Sequence, residues 1–335
     1  IEAHAEGEVG RIVISGIIDI PSRTPLDKMN YINQVDDSLR RFLVNEPRGC
    51  AQMSTNVLLT PTHPDAHAAY MIFQGDKAHA MSGSNSICLV TVLLEAGMVE
   101  MVEPETIVIL ETPAGLVRAK ADCADGKCKR VTLDMPPSFV DQLDATVQVE
   151  GLGEVIVDIS FGGIFCGLID PARFDLTITP ENARKLVDIG CRVHRAINEQ
   201  LEIRHPVLAG IEGLSYTMFV GHDETGIMNG ATILPPGRID RSPCGTGNSA
   251  RLAAMFARGQ VAEGEVHIAR SIIGSEFITS VTGVTEVGGR PAILPSVSGR
   301  GWIHGTHKIG LDPSDPYPLG YMVADCWGDA FDLLN

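Results

Sequence analysis

"RIDRSPCGTGNSARLAAMFARG" (238–259) sets one cysteine, Cys244, in a glycine-rich turn directly ahead of an alanine- and arginine-rich run that reads as a helix. A second stretch shares its layout. "MSGSNSICLVTVLLEAGM" (81–98) and "PCGTGNSARLAAMFARGQ" (243–260) each carry a small nucleophile-type residue, a glycine, a hydroxyl residue, then Asn-Ser and a helical run. Hairpin-like segments follow both copies, "TIVILETPAGLVRAKADCADGKCKRVTLDMP" after the first and "SEFITSVTGVTEVGGRPAILPSVSGRGWIHG" after the second. Two such copies half a chain apart predict a duplicated domain with a site between the halves. The polar, proline-containing "DMPPSFVDQLD" (134–144) marks the seam. One domain is expected over 1–138 plus 315–335 and the other over 139–314.

Working outward, 335 residues exceed what one hydrophobic core usually serves, in agreement with two domains. Apolar residues make up 44% and aromatics only 5%, with 35 Gly and 20 Pro, as in a protein of many strands and turns. The balance of 26 basic against 42 acidic residues gives −16, a field that repels phosphate backbones and anionic lipid and so excludes nucleic acid and membrane partners. The longest apolar run, "ICLVTVLL" (87–94), is far short of the ~20 residues of a membrane span. "IEAHAEGEVGRIVISG" (1–16) has acids where a signal peptide needs a basic start, so a cytoplasmic location is expected. Eight scattered cysteines without a C-x-x-C read as thiols, mostly small core residues.

Short β-like runs predominate: "GRIVISG" (10–16), "TNVLLTP" (55–61), "HAAYMIFQG" (67–75) and the long "TIVILETPAGLVRAKA" (106–121). Helical spacing appears over 29–46, 85–98 and 179–203, the last opened by a Thr-Pro-Glu-Asn start signal.

A helix start offers unpaired N–H groups and a partial positive charge, which lowers a thiol from about 8.5 toward neutrality and makes Cys244 a candidate base. Gly245 and Gly247 allow the tight turn and the close approach of a ligand. The competing reading is a buried structural cysteine, against which the polar neighbours Asp240, Arg241, Ser242, Thr246 and Asn248 weigh. Other glycine-loop readings fail: "GTGNSA" has no Walker lysine, "GRIDRSP" is not the apolar strand of a dinucleotide fingerprint, and G-x-S-x-G is absent.

"DRSPCGTGNSA" (240–250) resembles the second signature of the proline racemase family, and "AHAMSGSNSI" (78–87) stands where the first, Met-Cys-Gly-His, is expected. "HAEGEVGRIVISG" (4–16), "NEPRGCAQM" (45–53) and "FGGIFCGLID" (161–170) are similar to further family segments. The resemblance implies an α/β (α+β) fold of the diaminopimelate epimerase type: two pseudo-symmetric domains, each a curved, mostly antiparallel sheet around a central helix, with no cofactor and no metal. It implies a small-molecule substrate, a cyclic imino acid lying between the two helix starts, and two cysteines working on opposite faces of Cα. A homodimer is compatible with the sequence.

The first cysteine position is Ser82 and the histidine two residues on is Ser84. A serine hydroxyl is a poor base, and Cys88, inside the helix, points elsewhere. A single base suits dehydration, in which a carbanion at C2 expels a C3 hydroxyl, and the family's dehydratase branch also carries a hydroxyl residue at one of the two positions. The expectation is therefore dehydration of trans-3-hydroxy-L-proline to Δ1-pyrroline-2-carboxylate, with Cys244 as base and Ser82 assisting the leaving oxygen. Gly83, Ser84, Gly245 and Thr246 would hold the carboxylate and Asp240 the ring ammonium. The alternative is 4-hydroxyproline 2-epimerase, or an enzyme with both activities; a non-catalytic imino-acid binder is the reading from another class.

Three further segments carry chemistry-bearing residues. "THPDAH" (62–67) reads as a turn more than as a metal site, and "GHDETG" (221–226) as a solvated turn. The Gly pair of "FGGIFC" (161–166) lets a strand approach a ligand or another backbone closely.

Overall fold

A computed structural model describes residues 1–17, 19–208 and 210–327. The chain divides into two compact units, residues 1–133 with 299–335, and residues 134–298. The first contains β1 (Glu2–Ala5), β2 (Glu8–Val13), α1 (Pro25–Gln34), α2 (Ser38–Val44), β3 (Thr55–Leu59), β4 (Ala68–Phe73), β5 (Ala78–His79), α3 (Gly83–Glu95), β6 (Glu105–Thr112), β7 (Gly115–Ala124) and β8 (Lys127–Asp134). The second contains β9 (Ser138–Val149), β10 (Gly153–Phe161), β11 (Phe165–Ile169), α4 (Ala183–Gln200), β12 (Tyr216–His222), β13 (Met228–Leu234), β14 (Arg238–Ile239), α5 (Gly245–Ala257), β15 (Val266–Arg270), β16 (Glu276–Val287) and β17 (Arg290–Gly299). The chain then adds β18 (Gly301–Gly305) and the short α6 (Ala324–Trp327) to the first unit.

Strand pairing repeats from one unit to the other. In the first, β18 and β2 flank β1 antiparallel, β2 runs parallel to β3 with Arg11 opposite Thr55, and β3 is antiparallel to β4. β4 pairs antiparallel with β5 and parallel with β6, from which β7 and β8 continue as a meander. In the second, β9, β10 and β11 are successively antiparallel, β11 runs parallel to β12 with Cys166 opposite Tyr216, and β12 is antiparallel to β13. β13 pairs antiparallel with β14 and parallel with β15, followed by β16 and β17. The duplication predicted from two helix-start motifs thus extends to every strand. Residues 299–314, expected in the second domain, cluster with the first because β18 pairs with β1, with Trp302 opposite His4.

Each unit wraps its sheet around one helix. α3 is buried from Gly83 to Leu94, and α5 from Gly245 to Ala254. Glycines let strands press against these helices. A Cβ on Gly10 of β2 would lie 2.8 Å from the Cys88 sulfur, and one on Gly162 would lie 2.2 Å from the Thr246 carbonyl and 2.4 Å from the Ala250 nitrogen. The Gly pair at 162–163 therefore serves a close approach to the first turn of α5.

The helix expected over 29–46 is two helices. Thr24 and Asp27 form a capping box with Pro25 at the first position of α1, so the helix starts earlier than its apolar spacing suggested. It breaks at 35–37 because the Asp36 carboxylate accepts the Ser38 N–H at 2.9 Å, a local bond that competes with the helical ladder. α4 covers most of the expected 179–203 and buries Leu186, Gly190, Val193, Ala196 and Ile197, one face of a regular helix.

Candidate active site

Ser82 and Cys244 are the N-cap residues of α3 and α5, two helices of 13 residues each. Capping asks for a side-chain acceptor that takes an N–H of the first turn, which a hydroxyl does well and a thiol does weakly. α3 begins two residues, and α5 three residues, earlier than a start at Asn-Ser would give. With the caps superposed by position, Asn85 corresponds to Gly247, so the Asn-Ser pairs of the two sequence copies are offset by one residue.

At the first cap the backbone is extended (φ −153°, ψ 133°). The Ser82 hydroxyl oxygen accepts the Asn85 backbone N–H at 3.5 Å and the Asn85 side-chain Nδ2 at 3.0 Å, and lies 3.3 Å from the Ser84 hydroxyl. Asn85 is oriented in turn by Asn56 of β3, whose Nδ2 donates to Asn85 Oδ1 at 2.8 Å. The Ser82 carbonyl accepts the Ser86 hydroxyl at 2.8 Å, and Ser86 sits 2.6 Å from the Tyr70 hydroxyl. Asn56, Asn85, Ser86 and Tyr70 are all buried.

At the second cap Cys244 adopts φ +67° and ψ 109°, a region that non-glycine residues enter at a cost and that concentrates at functional sites. The strained turn aims its sulfur back at the helix, where it accepts the Gly247 N–H at 3.3 Å and lies 3.6 Å from the Thr246 hydroxyl. A second hydroxyl, that of Thr232 of β13, stands close enough to the sulfur to favour its charged form. Gly247 has no space for a side chain, since a Cβ would stand 2.8 Å from the Met218 sulfur and 3.1 Å from the Cys244 sulfur. Asp240 Oδ1 accepts both the N–H and the hydroxyl of Ser242, each at 2.8 Å, and the Ser242 hydroxyl oxygen accepts the Cys244 N–H at 3.2 Å. Asp240 thereby shapes the turn, and it stands close enough to act on the thiol by its charge.

That charge corrects the expectation of a near-neutral thiol. Burial, and after it the Asp240 carboxylate, push Cys244 up to about 12, while Thr232, Thr246 and the Gly247 N–H pull it partway back. Cys244 is 3% exposed, and the low-dielectric surroundings outweigh what a helix start supplies.

The remaining candidates fall on the first helical residues. Gly83 and Ser84 in α3, and Gly245 and Thr246 in α5, carry N–H groups that the helical ladder itself leaves without acceptors. Cys88 is fully buried against Gly10, its thiol raised by desolvation. In "THPDAH" the Glu111 carboxylate accepts the N–H of His63 and of Thr62, His63 Nδ1 accepts the Asp65 N–H at 3.2 Å, and His67 Nδ1 accepts the Ile109 N–H at 3.0 Å. The segment is a turn tied to β6. Asp223 is bound to Arg270 at 2.7 Å and to Thr225, again as part of a turn. A cavity of about 880 Å³ in the first unit, lined among others by Ile12, Ile20, Phe42 and Leu311, takes in neither Ser82 nor its neighbours on α3.

The sequence reading missed Asn56 and Thr232, which reach the caps from strands remote in sequence, and passed over Asn85, which it quoted only as part of a repeat.

Comparison with known proteins gives these two caps their context. The proline racemase family profile matches residues 1–322. The chain is 50% identical over 330 residues to the 4-hydroxyproline 2-epimerase of Agrobacterium fabrum, covering 98% of this chain and 96% of that protein. A crystal structure of a hydroxyproline epimerase from Agrobacterium vitis, with bound trans-4-hydroxy-L-proline, superposes with a TM-score of 0.95 at 47% identity, covering 99% of this chain and 96% of that one. A predicted epimerase from Pseudomonas aeruginosa, 12% identical with a TM-score of 0.56 over 93% of this chain and 98% of its own, shares the fold alone. With the family's duplicated α/β architecture, its second signature intact around Cys244 and a match along nearly its whole length, this chain belongs to the proline racemase family of enzymes.

Proposed function

We propose that the protein is a 4-hydroxyproline 2-epimerase in which Cys244 and Ser82 are the two acid–base groups. The relatives are named for epimerisation, which favours the alternative over the dehydration first expected from sequence. The observation that carries the reading is the environment of the Ser82 hydroxyl. It is no unaided alcohol, for it accepts two N–H bonds at a helix start and keeps its own hydrogen to give.

The chemistry follows from the charges. In the empty site the thiol is held protonated by burial and by Asp240. A bound imino acid brings a ring ammonium for Asp240 and a carboxylate suited to the open N–H groups of Gly83, Ser84, Gly245 and Thr246. Pairing of the ammonium with Asp240 removes much of the field that opposes ionisation, so the thiol gives its proton up to water as the substrate binds and the substrate itself readies the base. The Cys244 thiolate takes the Cα proton, and the charge left behind spreads into the carboxylate. Ser82 delivers its hydroxyl proton to the opposite face, which inverts Cα. The return reaction uses the same groups in reverse order, and exchange with water restores their protons.

A second reading, dehydration of trans-3-hydroxy-L-proline, is favoured by Ser82 being an alcohol: with a single strong base the C2 carbanion can instead expel the 3-hydroxyl, which leaves from the same ring face as the C2 hydrogen and takes its proton from the Cys244 thiol to depart as water. Incubation in D2O with each hydroxyproline separates the two. Epimerisation yields inverted product deuterated at Cα from the 4-hydroxy compound, while imine from the 3-hydroxy compound with no inversion of the 4-hydroxy compound would replace this proposal with the second. Cys244→Ala and Ser82→Ala should each lower kcat on the order of 10²–10⁴-fold, the range for a lost proton-transfer group. Full turnover in Cys244→Ala would remove the mechanism.

A further inference from the structure

The two caps differ at their third helical position, Asn85 beside the hydroxyl and Gly247 beside the sulfur. The glycine is dictated by space, because a Cβ there would meet two sulfurs. The asparagine does the opposite, filling the corresponding place and pointing an N–H at the cap oxygen at 3.0 Å. Its orientation is determined by Asn56. The Asn56 Nδ2 donates both to the Arg11 carbonyl at 3.3 Å and to Asn85 Oδ1 at 2.8 Å, so Asn85 must present its carbonyl to Asn56 and its NH2 to Ser82. Both side chains are almost wholly buried, 0% and 2% exposed, where a hydrogen bond is stronger than in water.

From this chain we infer that Asn85 is a positioning residue, aligned by Asn56, that makes the Ser82 hydroxyl an effective proton donor. The inference rests on the reading of Ser82 as an acid. In the donating step the Ser82 O–H bond breaks, the Cα–H bond forms, and the electron pair stays on Oγ. The conjugate base left there is met by the Asn85 backbone N–H and by its side-chain N–H, the second of which the sulfur half has no need of because a thiolate is far more stable than an alkoxide. The carboxamide also keeps the hydroxyl hydrogen from turning into the helix, since both contacts from Asn85 are donors and the oxygen can only accept from them.

Two readouts test this. First, Ser82→Cys in a Cys244→Ala background gives the cap a thiol whose ionisation can be followed by the pH dependence of iodoacetamide alkylation. Adding Asn85→Gly, which copies the architecture of the sulfur half, should move that ionisation upward and slow alkylation near neutral pH by about tenfold, as expected when a charge-assisted donor is lost. An unchanged profile overturns the inference. Second, in the otherwise native protein Asn85→Gly should lower kcat roughly 10- to 100-fold with KM within about twofold, the loss of one hydrogen bond to a charge. Asn85→Asp keeps the size of the side chain and a good residue for a helix start but replaces the donor with an acceptor, and should show the same kcat loss. A change confined to KM, or full kcat in Asn85→Asp, also overturns it. A native protein inactive on either hydroxyproline would defeat the functional reading, while the alkylation profile would still decide the role of Asn85.

Discussion

Two side chains, a hydroxyl and a thiol, occupy matching caps but are prepared in opposite ways. The hydroxyl is supplied with donors, and the thiol is buried beside a carboxylate. Asp240→Asn makes the second half of that contrast measurable. Removal of the charge that raises Cys244 should lower the pH at which the thiol ionises in the free enzyme and speed its alkylation at mildly alkaline pH, while turnover falls because the ring ammonium loses its partner. A faster-reacting thiol with undiminished turnover would count against the substrate-assisted ionisation. At this scale the sequence showed Cys244, Asp240 and Ser82 directly, because they lie in one signature or its repeat. It did not show Asn56 or Thr232, whose partners stand 29 and 12 residues away and are brought near only by strand pairing. Nor did it show the direction of the thiol's shift: a helix start was legible, but the depth of burial that outweighs it is a property of packing.

Among elements, the repeated unit of strand, tight turn and buried helix carries the fold. Its helices depend on backbone contacts that no side chain could replace, of which Gly162 against α5 is the closest. Gly162→Ala would drive a methyl group into the Thr246 carbonyl and the Ala250 nitrogen, neither of which can swing aside as a side-chain tip could. The first turn of α5 must shift, with a stability loss of about 1–3 kcal/mol by thermal or urea unfolding and a fall in kcat from the displaced sulfur. An alanine variant with native stability and activity would show that the strand yields instead. The doubled helix start made this architecture legible from sequence, as did the runs that became β2, β3 and β4. Element ends were less so. Helix starts lay in caps rather than in apolar periodicity, as with Thr24 and Ser82, and the break between α1 and α2 depends on one carboxylate claiming an N–H. Glu111, near the end of β6, is 8% exposed and holds the 62–63 turn through a carboxylate that no local pattern marks as buried.

Across the whole chain, burial raises four thiols, those of Cys88, Cys128, Cys166 and Cys244, the second and fourth to about 12. Each stays protonated in the folded protein after the unfolded chain has begun to lose its proton near 8.5. Their contribution to stability is therefore complete below that pH and is lost as pH rises from there through the folded values, at about 1.4 kcal/mol per pH unit for each thiol. Thermal melts under reducing conditions should be level from neutral pH to about 8.5 and fall steeply above it, and replacing Cys166 by alanine should flatten the fall. A melting curve indifferent to alkali would mean that these sulfurs meet water in the native state. The two-unit plan was legible from the repeat, whereas the place of 299–314 was not, since β18 finds β1 across almost the entire sequence. That pairing has a consequence for biosynthesis. Residues 134–298 are contiguous and can close on themselves as soon as they leave the ribosome, but β1 must wait for a partner made some 300 residues later. The half translated first is the half completed last, and a nascent chain arrested before β18 would offer chaperones the open side of β1.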